Sequence, residues 1–186
     1  MEIKKFRPTN MVSSQKIENP TEGVVTPSKL SDESVQLLTE RLKDEYTAHF
    51  FYRGAANWCR NKNYKKAAAF FDAESCSELD HAKKLQEYMD DWNVMPQIPS
   101  TQTEHNFENL VDIINKAYLM EFDLLKSYNQ SSSSLFVSDL TTFDFLGDLR
   151  EIQKEAVIEY SDLLNALVLV DFNDKFQVLY FEQTYF

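Results

Sequence analysis

The stretch Glu78-Leu79-Asp80-His81-Ala82-Lys83-Lys84-Leu85 sets two metal-ligand side chains, Glu78 and His81, three residues apart. On an α-helix that interval places both on one face, aimed at one spot. Followed in both directions, the register gives Phe71, Glu74, Glu78, His81, Leu85 and Tyr88, a largely apolar stripe interrupted by ionisable groups. The pattern predicts a helix from about Tyr64 to Trp92 with its polar interruptions facing a core.

The same pattern recurs outward along the chain. Before it, Ser31-Asp32-Glu33-Ser34 offers N-cap oxygens and first-turn acids, opening a predicted helix that runs to about Arg60. Leu38, Glu45, Tyr52 and Cys59 recur on it every seven residues and share one face. A short break at Asn61-Lys62-Asn63 suits antiparallel neighbours. After it, Asn93 to Glu104 holds Pro96 and Pro99 and reads as an extended crossover. A third helix is expected from about Phe107 to Ser131, with Ile114, Tyr118, Glu121, Leu125 and Tyr128 aligned. A fourth is expected from about Leu140 to Val170, with Leu149, Gln153, Ala156, Tyr160 and Leu164 aligned. The run Ser131 to Ser134 reads as the turn between them. Four long helices with one long central connection describe an all-α four-helix bundle with a crossover.

Composition narrows the function. A chain of 186 residues can bury a full core. A net charge of −11 opposes binding to a phosphate backbone, so no nucleic-acid partner is expected. No apolar run approaches the ~18 residues of a membrane span. Cys59 and Cys76 lack a CxxC spacing and read as reduced thiols, so a cytoplasmic location is expected. Residues 1–30, rich in Thr, Ser, Asn and Pro without hydrophobic period, read as a flexible N-terminal extension.

Each bundle helix thus carries a polar group at mid-length: Glu45, then Glu78 with His81, then Glu121, then Gln153. Unpartnered buried carboxylates cost several kcal/mol each by order of magnitude, and a bound multivalent cation removes that cost. Oxygen ligands with one imidazole suit iron or manganese, with zinc able to compete. His49 and His105 read instead as surface or loop histidines.

At these residues the chain resembles the ferritin family. Glu45 followed by Tyr52 is similar to the family's first-helix motif, and Glu78-x-x-His81-Ala-x-x-Leu to its second. The segment around Glu121 resembles the third helix. Gln153 followed by Ala156 resembles the fourth helix of animal heavy-chain-type ferritins. The end, Val178 to Phe186, is similar to the short fifth helix that lines a symmetry axis of the shell.

The resemblance implies a ferritin-like di-iron domain over residues 31–186, with a non-haem ferroxidase centre and no haem. Glu45, Glu78 and His81 would hold one iron. Glu78 would bridge to a second, completed by Glu121. Gln153 would support the ligands or bind solvent, and Tyr52 would hydrogen-bond a ligand and supply an electron. Fe(II) and dioxygen or hydrogen peroxide would be the reactants. The chain would form a homo-oligomeric shell of about 24 copies, closed over apolar residues such as Phe172, Phe176, Leu179, Tyr180 and Phe181.

Departures from the family pattern also matter. Gln153 and Ala156 replace the second Glu-x-x-His of bacterioferritins and rubrerythrins, so a symmetric centre is not expected. Ser77 and Ile152 stand where bacterial ferritins place ligands of a third iron, leaving Glu155. Asp80 is kept from the mineral-facing acidic cluster, while Lys83 reverses a charge. Asp144 and Asp148 are candidates for an acidic channel. The alternative reading is a non-catalytic, shell-forming metal binder, which the full set Glu45, Glu78, His81 and Glu121 opposes. Deleting residues 1–30 is expected to leave assembly unaltered; a shift to dimers in size-exclusion chromatography would refute a dispensable extension.

Overall fold

A computed structural model describes residues 30–101 and 106–186. The N-terminal extension, His105 and part of the crossover lie outside the described residues. Five helices follow in order: α1 (Asp32–Asn61), α2 (Lys65–Asp91), α3 (Leu110–Ser138), α4 (Leu140–Leu167) and the short α5 (Lys175–Tyr185). The expected all-α bundle, with its central crossover and short C-terminal helix, is the architecture found. Helix α1 packs along α2 and α3 along α4, with α1 also meeting α3. Among the described residues, no helix is long and apolar enough to cross a membrane.

The caps follow from side-chain chemistry. Ser31 accepts from the backbone N of Ser34 at 3.0 Å and opens α1. Asn63 after α1 and Asn93 after α2 adopt φ of 66° and 56°, a left-handed conformation that asparagine tolerates better than most residues. Each lets the next amide turn back on its helix, Tyr64 N to Cys59 O and Val94 N to Met89 O, both at 2.9 Å. The chain therefore reverses within three residues, and α2 lies antiparallel to α1.

One boundary differs from expectation. The run Ser131 to Ser134 is helical, and α3 continues to Ser138. Ser131 and Ser132 are buried, and Ser131 Oγ accepts from Arg41 Nη1 at 2.8 Å, so tertiary packing holds the serines in the helix. The break falls at Asp139, a stronger N-cap. Its carboxylate accepts from Thr142 N at 3.0 Å and from Ser34 Oγ at 2.8 Å, pinning the start of α4 to the start of α1.

The core divides into two apolar clusters. One gathers Tyr52, Cys59, Phe71, Ile113, Ile114, Tyr160 and Phe181; the other gathers Leu38, Leu42, Leu85, Met89, Leu124, Tyr128, Leu146 and Leu149. On every long helix the mid-length polar residue falls between them. Glu45 lies between Leu42 and Tyr52, Glu78 between Phe71 and Leu85, Glu121 between Ala117 and Leu124, and Gln153 between Leu149 and Tyr160. The expected Leu125 and Leu164 are only half-buried. Their neighbours Leu124 and Leu163 take the inner positions.

Helix α5 packs on the N-terminal end of α2. Tyr64, at the N-cap of α2, has no side-chain cap of its own. Glu182 supplies one from α5: its Oε1 accepts from Lys66 N at 2.7 Å and Ala67 N at 3.2 Å. The carboxylate is fully buried against the amides of that helix end. Phe181 is buried beside it, whereas Phe172, Phe176, Leu179 and Tyr180 remain exposed in the single chain. Removing a cap costs ~0.5–2 kcal/mol. Glu182→Ala should therefore speed amide exchange at Lys66 and Ala67 by about tenfold, while Glu182→Gln has a smaller effect. Unchanged exchange in the alanine variant would discount the cap.

Candidate metal centre

Heptad spacing on α1 brings Leu38, Glu45, Tyr52 and Cys59 to the bundle interior, and all four are buried. From α2 come Glu78 and His81, also buried, one helical step apart. The ligand-type atoms of Glu45, Glu78 and His81 all lie within 4.8 Å of one another. His81 Nδ1 stands 3.1 Å from Glu78 Oε2 and 3.5 Å from Glu45 Oε2. Glu45 Oε2 has no hydrogen-bond partner. An orphaned buried oxygen, converging on a second carboxylate and an imidazole nitrogen, is the donor set a hard or borderline divalent cation selects.

Glu121, from α3, faces the same core but does not join this triad. Tyr52 Oη donates to its Oε1, and Gln153 Nε2 donates to its Oε2. Gln153 also reaches Glu121 O at 3.2 Å. The expected contact of Tyr52 with a candidate ligand is thus present, and Gln153 anchors a carboxylate. Both oxygens of Glu121 are engaged by neutral donors.

Electrostatics follow from burial. Desolvation first, then the neighbouring Glu45 and Glu121, hold the Glu78 carboxyl well above the ordinary carboxylate range. Glu121 is also raised by burial, a shift that its bonds from Tyr52 and Gln153 oppose. A cation entering this cluster must displace protons, so its affinity rises with pH. Glu74, half-buried one turn before Glu78, is raised to about 7, chiefly by burial, with Glu159 and Glu121 adding to it.

Three further side chains shape the site, and motif reading alone assigned them no role. Tyr128 Oη donates to Glu45 Oε1. Tyr160 stacks on Tyr52, with ring centroids 6.0 Å apart and planes 11° apart. Its hydroxyl, next to that of Tyr52, has no partner at hydrogen-bonding geometry. Arg41 is buried above Tyr128, its guanidinium carbon 5.9 Å from the ring centroid. A signal for Tyr128 was present: it follows Glu121 by seven residues, as Tyr52 follows Glu45.

The remaining candidates sit elsewhere. His49 is half-buried at the α1–α2 contact, its Nδ1 2.6 Å from Ser75 O and 3.0 Å from Ser75 Oγ, so it is an interhelical contact and not a free surface group. Asp80 pairs with Lys83 at 2.7 Å on the surface, and Glu155 is exposed 3.2 Å from Lys154. Ser77, Asp144 and Asp148 are exposed.

Fold and cluster together define a helical-bundle protein with a buried carboxylate–histidine group able to hold a metal ion. Comparison with known proteins gives the family. A model of the ferritin-like domain matches residues 35–170. The bacterial non-heme ferritin of Campylobacter jejuni is 34% identical over 119 residues, spanning 63% of this chain and 71% of that protein. The probable bacterial non-heme ferritin-like protein of Haemophilus influenzae is 24% identical over 140 residues, spanning 74% and 85%. Among solved structures, the open pore ferritin of the archaeon Archaeoglobus fulgidus superposes with a TM-score of 0.79 at 17% identity, over 84% of this chain and 96% of that one. Chlorobium tepidum ferritin gives 0.74 at 22% identity, over 83% and 94%. At those identities the structural likeness is one of fold. The chain belongs to the ferritin family.

The Glu74 shift makes a stability prediction. Its carboxyl titrates near 4.5 when unfolded and near 7 when folded, so the folded state holds the proton more tightly. That contribution is fully present below the unfolded pKa and is lost as pH rises through the folded one. Metal-free Glu74→Gln should therefore gain in thermal stability over the parent as pH rises from about 4.5 to 7. A pH-independent difference between their melting curves would count against it.

Proposed function

We propose that this protein is an iron-storing ferroxidase, oxidising Fe(II) with dioxygen or hydrogen peroxide and keeping the ferric product inside a homo-oligomeric shell. The observation that carries the reading is the buried triad of Glu45, Glu78 and His81, with the orphaned oxygen of Glu45 turned into it. Iron is here a substrate. Glu45, Glu78 and His81 take the first ion, and Glu78 reaches toward a second that Glu121 receives on release from Gln153. Names among its relatives, bacterial non-heme ferritins, support a non-haem iron role.

This chain's own groups set the chemistry. Hard carboxylate oxygens favour Fe(III) over Fe(II), so the ligand set itself makes oxidation more favourable. Glu78 and Glu121, whose carboxyls burial raises above the ordinary range, give up protons as cations enter. Tyr52, which donates to Glu121 and lies nearly parallel to Phe71 and Tyr160, supplies an electron and a proton beside the metal ligands in this reading. The apolar clusters on either side restrict water to the polar level.

Assembly follows from the exposed apolar end. Phe172, Phe176, Leu179 and Tyr180 stand 47–73% exposed in the single chain, a surface that symmetric association would bury. A shell of about 24 copies in a cytoplasmic setting fits the family likeness.

Stopped-flow oxidation of the iron-free protein tests the proposal, read by ferric absorbance beside size-exclusion chromatography. Fast saturable oxidation at about two irons per subunit, in a very large particle, is expected. Glu78→Ala and His81→Ala should remove the fast phase and leave the particle intact. Rates equal to the parent's in both variants would sink the site; oxidation no faster than buffer in the parent would favour a non-catalytic, metal-binding shell protein.

A further inference from the structure

Helices α1 and α3 exchange phenols across the bundle. Glu45 and Tyr52 on α1 face Tyr128 and Glu121 on α3, so that Tyr52 donates to Glu121 while Tyr128 donates to Glu45. The index sums are equal, 45 with 128 and 52 with 121, as antiparallel neighbours require. All four side chains are at most 1% exposed. The arrangement is a local two-fold exchange, yet its halves differ in what holds the other carboxylate oxygen. Glu121 has Gln153; Glu45 Oε2 has no hydrogen bond and only His81 Nδ1 at 3.5 Å.

We propose that Tyr128 is the positioning residue of the first cation site, holding Glu45 by Oε1 so that Oε2 alone is presented beside Glu78 and His81. The inference rests on the metal-centre reading of that triad. A glutamate rotates about three side-chain bonds, and a carboxylate left free can swing, chelate through both oxygens or turn away. The phenol removes that freedom before any ion arrives. Outer hydrogen bonds of this kind orient metal ligands, and losing one typically costs about 10–100-fold in metal affinity.

Tyr128 is itself held. Arg41 lies over its ring and is tied by Nη1 to Ser131 Oγ at 2.8 Å and by Nη2 to Asp44 Oδ2 at 2.7 Å. Ser131 sits one turn beyond Tyr128 on α3, in the serine run that continues as helix. The chain Ser131–Arg41–Tyr128–Glu45 therefore links the end of the bundle where α4 begins to the ligand cluster.

The test titrates the full chain, freed of metal, with Co(II), following calorimetry and the visible d–d absorption that reports coordination. Tyr128→Phe is expected to lower affinity for the first Co(II) by about 10–100-fold and to change the d–d spectrum. Tyr118→Phe, a half-buried tyrosine of α3 stacked on Phe122, should change neither. In a Glu45→Gln background, Tyr128→Phe should add no further loss, because its effect passes through the carboxylate. A Tyr128→Phe protein with the parent's affinity and spectrum, or an equal additional loss in the Glu45→Gln background, overturns the proposal. Should Tyr128→Phe not fold, Arg41→Lys is the second variant, expected to shift the same spectrum with a smaller loss of affinity; an unshifted spectrum overturns the proposal. His81→Ala separates the two readings. If it binds Co(II) as the parent does, the triad is not the metal site; if it fails while Tyr128→Phe binds normally, only the role of Tyr128 falls.

Discussion

Three carboxylates and an imidazole buried at one level of a helical bundle are the constraint around which this molecule is arranged. Ions so placed are costly unless each oxygen meets a donor or a cation. The fold answers with neutral donors from three helices: Tyr52 from α1, Tyr128 from α3 and Gln153 from α4. One oxygen of Glu45 is left over. Burial and its acidic neighbours hold the Glu78 carboxyl well above the ordinary carboxylate range, which eases the repulsion among the three. Neutral donors stabilise carboxylates without competing for the site as a lysine or arginine would. The guanidinium of Arg41 lies over the ring of Tyr128 and is tied to Ser131 and Asp44.

That level of polar groups explains the division of the core. Each apolar cluster is continuous across the helices it joins, and neither includes the ligand-type residues. On the aromatic side, Tyr52 lies nearly parallel to both Phe71 and Tyr160, with ring centroids 6.1 and 6.0 Å away. The aliphatic side, built on Leu38, Leu42, Leu85 and Leu146, closes the opposite end. The buried carboxylates and imidazole are thus held by helices and not by loops, which fixes their separations.

Much of this was legible in the residues alone, because helical period and ligand type point the same way. Glu45, Glu78, His81, Glu121 and Gln153 interrupt apolar stripes, and all five are buried. What escaped was set by contacts between distant parts of the chain. Reading Ser131 to Ser134 as a turn followed serine's local preference, which the buried bond from Arg41 overrides. The role of Tyr128 needed the antiparallel register of α1 and α3, although its spacing from Glu121 repeats that of Tyr52 from Glu45. The separation of Glu121 from the triad depends on the reach of Gln153, which spacing within one helix does not encode. Glu182 stands in a run rich in aromatic residues, and no local spacing marks it as a cap. Its partner amides are more than a hundred positions away.

That last contact has a consequence for synthesis. The helix bearing Glu78 and His81 starts with amides whose acceptor, Glu182, is made 116 residues after Lys66. Translation at roughly 5–20 residues per second delays that carboxylate by on the order of ten seconds. Throughout that interval the first turn of α2 is solvated and free to fray, even when α1 and α2 have already paired. The nascent hairpin can therefore form early, but its leading turn is capped only once α5 has been made and has docked on it.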